Sequence, residues 1–452
     1  MELRDKKVLV YGAGKSGIGA AALLSKVGAH AVVFDEKKSE EELKELLRDI
    51  PDTSVCFGMI PDEVISSLDL AVLSPGVPTD IGPVNALRDA GIPIWGEVEL
   101  AWQTSKGHVL GITGTNGKTT TTSLLGEIME KAGYHTFVVG NIGNAYTDAA
   151  LATAEESVIV AELSSFQLET TCEFHPTVSA ILNITPDHLN RHHTMEEYIR
   201  CKELITKNQT KEDVCVLNYE DEELRAFANA CPADVFWFSS ARRIENGIYL
   251  EGNNIVVTRG GTESVLLDVT DLNLLGVHNY ENVMAAAAMA LTYGVPMESI
   301  RKTCESFNPV AHRIEFSGEK NGVRWYNDSK GTNPDAAIKG IQAMNRPTLL
   351  IAGGYDKGSD YREWIRSFEG KVKWFVLEGK TKFDIRDAAV SVGFPEEKIV
   401  LLENMNEAMD FCRDHAEPGD AVLLSPACAS WGEFPNYEVR GDKFKEYVRE
   451  KA

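Results

Sequence analysis

The sequence lacks the features that mark several classes of protein. Its eight cysteines form no C-x-x-C pair, which disfavours a zinc knuckle or redox pair and favours free thiols in a reducing compartment. No apolar run approaches the roughly 20 residues that span a bilayer. The N-terminal segment leads directly into a predicted strand, so no secretory signal is expected. These absences predict a cytoplasmic protein without membrane insertion.

Positive charge is also scarce. The 452 residues include 45 Lys and Arg against 68 Asp and Glu, which gives a formal net charge of −23. Such an acidic chain is a poor partner for nucleic acid, because the phosphate backbone repels it. An anionic nucleotide would therefore have to be met by a locally basic site or by a divalent cation.

The most informative motif is a glycine-rich loop between a predicted strand and a predicted helix. Gly114–Gly117 follows an apolar run and precedes Lys118, Thr119 and a helical pattern that ends near Lys131. Backbone N–H groups of such a loop bind phosphate, the lysine adds charge and the Thr119 hydroxyl suits Mg²⁺. The strict pattern G-x-x-x-x-G-K-[ST] fails, because Ile112 occupies the first glycine position. An ordinary turn with a surface lysine is the less favoured alternative, since loop, lysine, threonine and flanking elements all agree.

A second glycine-rich turn lies near the N-terminus. Gly12, Gly14 and Gly17 follow a predicted strand, and Asp35 ends the next strand, as in a dinucleotide-binding fingerprint. The next phosphate loop begins by residue 114, so this domain is about half a full dinucleotide fold. That size favours a nucleotide-linked ligand over NAD. From spacing alone, Asp35 is equally well interpreted as a solvated strand end.

Two further polar residues follow predicted strands in the central part of the chain. Glu162 and His188 each lie past a strand end, where ligands gather in open α/β sheets. Their oxygen and nitrogen ligands suggest a second Mg²⁺ or Mn²⁺ position, although a lone histidine is more often a hydrogen-bonded loop residue. Lys202 falls in a predicted helix over 195–208, and periodicity alone makes it a solvated lysine.

Strands and helical patterns alternate along the whole chain, which is typical of α/β folds with parallel sheets. We predict three domains, each with its own core. They are a Rossmann-like N-terminal domain at 1–95, a central P-loop ATPase-type domain with a mostly parallel sheet at 96–308, and a C-terminal Rossmann-like domain at 309–452.

Several segments, taken in order, resemble the Mur ligases, which are ATP-dependent enzymes of bacterial cell-wall precursor synthesis. The resemblance covers essentially the whole chain. Within that family, the N-terminal GAGKSG at 12–17 and the ending SPACASWGEFPNYEVRG at 425–441 are similar to the branch that adds D-glutamate. The shared segments are GITGTNGKTT at 111–120, ELSSFQL at 162–168, Asp187-His188, GVHNYEN at 276–282, His312-Arg313 and NDSK at 327–330.

The resemblance implies an activity and its partners. The enzyme would join D-glutamate to UDP-N-acetylmuramoyl-L-alanine through an acyl phosphate made with ATP. It would use two Mg²⁺ ions, with Mn²⁺ as a substitute, and would be a bacterial cytoplasmic protein, expected to be a monomer. In the family, the lysine that matches Lys202 carries a CO₂-derived carbamate, which would act as a metal ligand.

The resemblance also implies roles for individual residues. Lys118, Glu162, His188 and Lys202 would be catalytic, and the metal ligands would be Thr119, Glu162, His188 and the Lys202 carbamate. The UDP precursor would contact Lys15, Ser16, Asp35 and Asn141. ATP would contact Gly114, Thr115, Asn116, Gly117, Lys118, Thr119, Thr120, Asn282, Arg313, Asp328 and Lys330. D-Glutamate would contact Thr332, Lys357, Ser430 and Tyr437.

Three alternatives stay open at this point. A folylpolyglutamate-synthase-like ligase would share the phosphate loop but would not be expected to begin with the glycine-rich domain at 1–95. Another Mur ligase would add a different amino acid. A P-loop switch without synthetic activity would have no need for the segments around Lys357 and Ser430.

Overall fold

The computed structural model describes residues 2–308, 311–355 and 359–452. For Asn190 it describes the backbone but not the side chain. Contacts divide the chain into two units. The first is Met1–Asp268 with Glu281–Cys304, and the second is Val269–Tyr280 with Glu305–Ala452. Among the described residues, no helix has both the length and the apolar character needed to cross a membrane.

The first unit opens with a parallel five-stranded sheet in the order β3-β2-β1-β4-β5. Its inner strands are short apolar runs buried almost throughout, as expected where helices cover both faces of a parallel sheet. The strand order reverses between β1 and β4, which places a crevice at the carboxyl ends of those strands. The elements are β1 Lys7–Tyr11, α1 Lys15–Lys26, β2 His30–Phe34, α2 Glu40–Leu47, β3 Thr53–Cys56, α3 Asp62–Ile65, β4 Leu70–Leu73, α4 Gly82–Asp89, β5 Ile94–Gly96 and α5 Glu97–Thr104.

A nine-stranded sheet follows in the same unit, in the order β14-β13-β12-β11-β10-β9-β6-β8-β7. The strands β7, β8, β6, β9, β10, β11 and β12 pair in parallel, whereas β12, β13 and β14 form an antiparallel edge. The elements are β6 His108–Thr113, α6 Lys118–Lys131, β7 His135–Gly140, α7 Tyr146–Ala149, β8 Ser157–Glu162, α8 Ser165–Leu168, β9 Val178–Ile181, α9 Leu189–His192, α10 Met195–Glu203, β10 Val214–Asn218, α11 Glu222–Phe227, β11 Asp234–Ser239, β12 Gly247–Glu251, β13 Asn254–Arg259 and β14 Thr262–Asp268. Helices α12 Val277–Tyr293 and α13 Met297–Ser306 follow, and the division between the two units falls within each of them.

One apolar cluster runs through both of these sheets. Helices α1, α5 and α7 pack against one another, and they bury Leu24, Leu100 and Tyr146 in the same cluster as Ile159 of β8. The sequence predicts a separate core for each domain, whereas this cluster is shared by the first two sheets. Among the described residues, further clusters lie on the far face of the first sheet, around Leu9, and in the second sheet, around Tyr249. The two sheets are therefore joined by packing as well as by the chain.

The second unit contains a six-stranded sheet in the order β15-β16-β20-β17-β18-β19. Only β15 and β16 pair antiparallel, and the other neighbours are parallel. A separate apolar cluster packs on each face. The elements are β15 Glu315–Lys320, β16 Val323–Asn327, α14 Pro334–Ala343, β17 Thr348–Gly354, α15 Arg362–Arg366, β18 Val372–Gly379, α16 Lys382–Ser391, β19 Ile399–Leu401, α17 Met405–His415, β20 Ala421–Leu424 and α18 Tyr437–Glu450.

The predicted fold class, an α/β chain with mostly parallel sheets, is confirmed. The predicted helix over 195–208 is too long, because α10 ends at Glu203 and a 3-10 turn covers Leu204–Thr206. Ile205 and Thr206 are β-branched and buried, and β-branched residues lose side-chain freedom in an α-helix. Tertiary burial of this turn decides its conformation.

The N-terminal glycine-rich turn, at Gly12–Gly17, yields a stability prediction with its own control. A Cβ at Gly17 would lie 1.7 Å from the carbonyl oxygen of Gly12, whereas a Cβ at Gly14 meets nothing within 4 Å. We expect Gly17→Ala to destabilise the fold by about 1–3 kcal/mol or more, the range for overpacking. Gly14→Ala, at the helix N-cap, should cost less than about 1 kcal/mol.

Thermal midpoints of the two variants, measured against the unmodified protein, check this prediction. A Gly17→Ala midpoint equal to that of Gly14→Ala would contradict the close approach of α1 to the turn at Gly12.

Candidate active site

The phosphate-type loop lies at the carboxyl end of β6, between β8 and β9 in the sheet. Its glycines have backbone angles that side chains disfavour, with φ of +149° at Gly114 and +86° at Gly117. A Cβ at Gly117 would also come within 2.2 Å of Asn282 Oδ1. Asn282, predicted to contact ATP, is thus buried against the loop, where its Oδ1 accepts a 3.4 Å hydrogen bond from the Thr121 hydroxyl.

Asn183 holds the loop in place, and the sequence interpretation missed it. The backbone N–H of Asn116 donates to Asn183 Oδ1 at 2.8 Å, and Asn183 Nδ2 donates back to the Asn116 carbonyl at 3.1 Å. The backbone N–H of Thr115 also donates to the Asn183 carbonyl at 2.9 Å. The position of Asn183 just past the end of β9, the strand next to β6, was the signal available in the sequence. The loop conformation is fixed by a neighbouring strand.

Two lysines from distant parts of the chain meet at one backbone carbonyl. Lys118 Nζ donates to the Gly114 carbonyl at 2.7 Å and to that of Thr115 at 2.9 Å. Lys202 Nζ donates to the same Gly114 carbonyl at 2.8 Å. Lys202 is only 2% exposed and lies 4.6 Å from the centre of the Tyr198 ring. The interpretation of Lys202 as a solvated lysine, based on periodicity alone, is therefore wrong.

Burial and mutual repulsion act on the proton affinity of both lysines. Burial lowers the pKa of Lys118, although the carboxylates of Glu162 and Asp187 act in the opposite direction. Burial, followed by the positive charge of Lys118, lowers the pKa of Lys202 to about 7. A neutral amine at Lys202 is consequently accessible near neutral pH, which is unusual for lysine.

Glu162 ends β8 as a buried carboxylate with one unused oxygen. Its Oε1 accepts a 2.9 Å hydrogen bond from Asn141 Nδ2, and its backbone carbonyl accepts another from the Asn141 N–H. Its Oε2 is buried and has no hydrogen-bond partner among the described residues. A buried, unsatisfied carboxylate oxygen is costly unless a cation or donor meets it, and this supports the predicted metal role.

The other predicted residues in the central part of the chain are His188, Thr119 and Thr120. His188 follows β9 on an exposed loop with φ of +53°, its Nε2 is 3.5 Å from Asp187 Oδ2, and its ring is 4.9 Å from that of Phe166. Thr119 and Thr120 are half-buried in the first turn of α6. No contact among the described residues pairs His188 with Glu162, so their shared metal position stays a prediction.

The N-terminal turn is anchored by Asp35. Its Oδ2 accepts from the backbone N–H of Ala13 at 2.7 Å, and its Oδ1 accepts from that of Lys37 at 2.8 Å. Partial burial acts to raise the pKa of Asp35, but these hydrogen bonds hold it below its ordinary value. Lys15 and Ser16 occupy the first turn of α1. Asp35 therefore shapes the turn, and its predicted contact with uracil remains a prediction.

In the second unit, Asp328 lies just past the end of β16 in a buried position. Its Oδ2 accepts from the Ser425 hydroxyl at 2.7 Å, and its Oδ1 accepts from the Ile314 N–H at 3.3 Å. Burial raises the pKa of Asp328 to about 7, although the charge of Arg313 opposes the rise. This carboxyl group is therefore able to exchange a proton near neutral pH.

The other predicted residues of the second unit have varied environments. Arg313 and Lys330 are exposed, and Lys330 Nζ lies 5.8 Å from the centre of the Tyr437 ring. Thr332 is half-buried and Ser430 is buried. Tyr437 begins α18, and its carbonyl accepts from the Ser329 hydroxyl at 2.8 Å. Lys357 lies outside the described residues.

Arg440 is a second residue that the sequence interpretation missed. It is 1% exposed, with Nε donating to Ser329 Oγ at 2.9 Å and Nη2 donating to the carbonyls of Ser329 and Cys428. Its Nη1 is buried without a partner among the described residues, and a Cβ on Gly354 would lie 3.4 Å from it. Burial lowers the pKa of Arg440 to about 10. No sequence pattern indicated that Arg440 is buried, because the helix that carries it is rich in charged residues.

Family profiles match three successive segments of the chain. They are described as Mur ligase MurD-like, N-terminal domain, at residues 6–96; Mur ligase middle domain, at 112–290; and Mur ligase, glutamate ligase domain, at 312–428.

Curated relatives match over nearly the whole length. A UDP-N-acetylmuramoylalanine–D-glutamate ligase of Lachnoclostridium phytofermentans is 54% identical over 99% of both chains. A protein of the same name from Clostridioides difficile is 47% identical over 99% of both chains.

Solved structures share the fold at low identity. UDP-N-acetylmuramate-alanine ligase MurC from Thermotoga maritima is 19% identical, with a TM-score of 0.56 over 98% of this chain and 99% of the other. A UDP-N-acetylmuramoyl-L-alanyl-D-glutamate–2,6-diaminopimelate ligase has a TM-score of 0.61 at 16% identity, over 98% and 92% of the two chains. From the three profiles and the full-length relatives together, the chain belongs to the Mur ligase family.

Proposed function

We propose that this protein joins D-glutamate to UDP-N-acetylmuramoyl-L-alanine, with cleavage of ATP to ADP and phosphate, in peptidoglycan precursor synthesis. The observation that carries the proposal is the meeting of Lys118 and Lys202 at the Gly114 carbonyl, in a chain 54% identical to a D-glutamate ligase over its length. The predicted domain limits at 1–95, 96–308 and 309–452 form part of the same proposal.

The first step activates a carboxylate that is otherwise a poor acylating agent. An oxygen of the L-alanyl carboxylate attacks the γ-phosphorus of ATP, the bond to ADP breaks, and an acyl phosphate forms. Phosphoryl transfer depends mainly on positioning and on neutralising charge. The loop Gly114–Gly117 would bind the phosphates, and Lys118 would leave its carbonyl partners to meet the transferring oxygens. Asn183 would keep the loop N–H groups oriented.

The second step forms the amide bond. The amine of D-glutamate attacks the acyl carbon, phosphate leaves, and the nitrogen loses a proton. A dicarboxylic substrate requires cationic and hydroxyl groups, for which the predicted Lys357 and Ser430 of the second unit are proposed. Arg440, which is 1% exposed, would act by holding Ser329 and Cys428 in place rather than by contact with the substrate.

Glu162 is the residue best suited to a divalent cation. Its buried Oε2, which has no hydrogen-bond partner in the described part of the chain, fits a hard cation such as Mg²⁺, which prefers carboxylate oxygens. Thr119 and His188 are proposed as further ligands. A bound Mg²⁺ would neutralise phosphate charge. Mn²⁺ is the proposed substitute.

Lys202 is proposed to carry a carbamate formed from CO₂. Carbamate formation needs the neutral amine, and a pKa of about 7 makes that form available. The modification would replace a cation next to Lys118 with an anion, which removes the repulsion and supplies oxygens for the metal.

Phosphate release separates this proposal from the alternatives. We expect release from ATP to require both UDP-N-acetylmuramoyl-L-alanine and D-glutamate, because the acyl phosphate needs the first and its turnover needs the second. Each amino acid is offered in turn, with L-glutamate as the matched control. Release with ATP alone would indicate a switch, and release with a folate acceptor or with a different amino acid would indicate one of the other ligases.

Lys118→Ala should lower turnover by at least roughly 10²-fold, the scale for removing one preorganised charge partner. Lys106→Ala is the matched control, because Lys106 lies just ahead of β6 with a side chain 62% exposed. Steady-state phosphate release measures both variants. A Lys118→Ala turnover within a few-fold of Lys106→Ala would remove the loop lysine from the mechanism.

Lys202→Ala should be nearly inactive while ATP still binds, because the proposed anionic ligand is lost. Short-chain carboxylic acids should restore part of the activity by filling the vacated position. Lys207→Ala, an exposed lysine in the same segment, should keep its activity and show no response to these acids. Full activity of Lys202→Ala would contradict the carbamate. So would activity of the wild-type protein that does not depend on bicarbonate.

A further inference from the structure

A buried group of metal-type ligands lies beside the phosphate loop and is used by none of the steps above. Glu169 caps α8, His192 ends α9 and Cys201 lies in α10. The ligand atoms of these three residues lie within 4.8 Å of one another, and His192 and Cys201 are buried. A nitrogen, a sulfur and a carboxylate oxygen form a donor set typical of Zn²⁺ rather than of Mg²⁺.

We propose that Glu169, His192 and Cys201 form a site for Zn²⁺ or a similar borderline-soft divalent cation, separate from the predicted Mg²⁺ positions. His192 Nδ1 lies 3.2 Å from Glu169 Oε1, and Cys201 Sγ lies 4.0 Å from the same oxygen. Ligands on a tetrahedral zinc ion stand about 3.3–3.5 Å apart, given bond lengths near 2.0–2.3 Å. Two of the three separations are therefore close to those expected around one ion, and all three lie within 4.8 Å.

The orientation of His192 is the second observation that points to a ligand. Its Nε2 lies 2.9 Å from Ser165 Oγ, while its Nδ1 is buried and has no hydrogen-bond partner among the described residues. When Nε2 carries the proton and donates a hydrogen bond to the Ser165 hydroxyl, Nδ1 presents a lone pair towards Glu169 and Cys201. In metal-bound histidines, likewise, one ring nitrogen binds the metal and the other donates a hydrogen bond to a neighbouring group.

A simple ion pair between His192 and Glu169 accounts for the arrangement less well. Glu169 already pairs through Oε2 with Arg191 at 2.8 Å, and the contact from His192 Nδ1 to Oε1 lies outside hydrogen-bond geometry. Nor does an ion pair give Cys201 a role. Glu197 Oε1, which also pairs with Arg200, lies 3.7 Å from Cys201 Sγ and offers a fourth ligand atom, the second oxygen of the set.

A cavity next to the three ligands gives a metal ion a path to the site. Glu169 and Glu197 line an open cavity of ≈ 280 Å³, together with Cys172 and Arg200. An ion entering from there would displace the thiol proton of Cys201 to solvent and form a sulfur–metal bond. Its ligands would tie α8 and α9 to α10, the helix that carries Lys202.

The test uses the full-length protein after treatment with a chelator. We expect one equivalent of Zn²⁺ to bind in the presence of excess Mg²⁺, with release of protons and a higher thermal midpoint. Co²⁺ in place of Zn²⁺ should give a thiolate-to-cobalt charge-transfer band. Cys201→Ala and Cys201→Ser should weaken Zn²⁺ binding by at least roughly 100-fold, since even outer-shell changes cost about 10–100-fold.

Two controls separate this site from its neighbours. Cys172→Ala removes a half-buried thiol on the same cavity and should leave Zn²⁺ affinity unchanged, as should His188→Ala. Equal affinities of the Cys201 variants and the unmodified protein, absence of the cobalt band, or loss of binding only in His188→Ala would overturn the proposal. Thermal midpoints of the Cys201 variants without metal show whether each is folded.

Discussion

The central domain depends on the electrostatics around a single backbone oxygen. The Gly114 carbonyl accepts hydrogen bonds from Lys118 at 2.7 Å and from Lys202 at 2.8 Å. Two ammonium groups so close together repel each other in an environment with little water to screen them. The arrangement is stable in either of two ways, by neutralising one amine or by bringing in an anion. A nucleotide phosphate and a modified Lys202 both meet that requirement.

The surrounding structure keeps these groups in position. The loop runs from β6 between β8 and β9, so Glu162 comes from one neighbouring strand and Asn183 from the other. Asn183 fixes the loop through three hydrogen bonds that involve its own side chain and backbone, while Asn141 holds Glu162 through two. These hydrogen bonds order the loop and Glu162 from within the protein, and such preorganisation reduces the entropy lost on binding.

Local patterns in the sequence predicted the sheets, the glycine-rich loops and the strand-end position of Glu162, because these depend on hydrophobic runs and turn residues. Tertiary effects lay beyond such patterns. The helical periodicity places Lys202 on the solvated face, yet it is 2% exposed. Arg440, on a helix rich in charged residues, is 1% exposed. Their burial depends on partners 88 and 111 residues away, Gly114 and Ser329. The resemblance, rather than the periodicity, singled out Lys202, and nothing singled out Arg440.

The apolar cluster that joins the first two sheets limits how this chain could change during evolution. Helices α1 and α5 of the first sheet and α7 of the second bury their side chains in one continuous cluster. An N-terminal domain taken from another protein would have to reproduce the packing surface for α7 as well as its own ligand site. Recombination at the predicted boundary near residue 96 would leave mismatched volumes in the interior, which cores tolerate poorly. New precursor specificity is therefore more accessible through substitutions in the loops at the strand ends than through exchange of the whole domain.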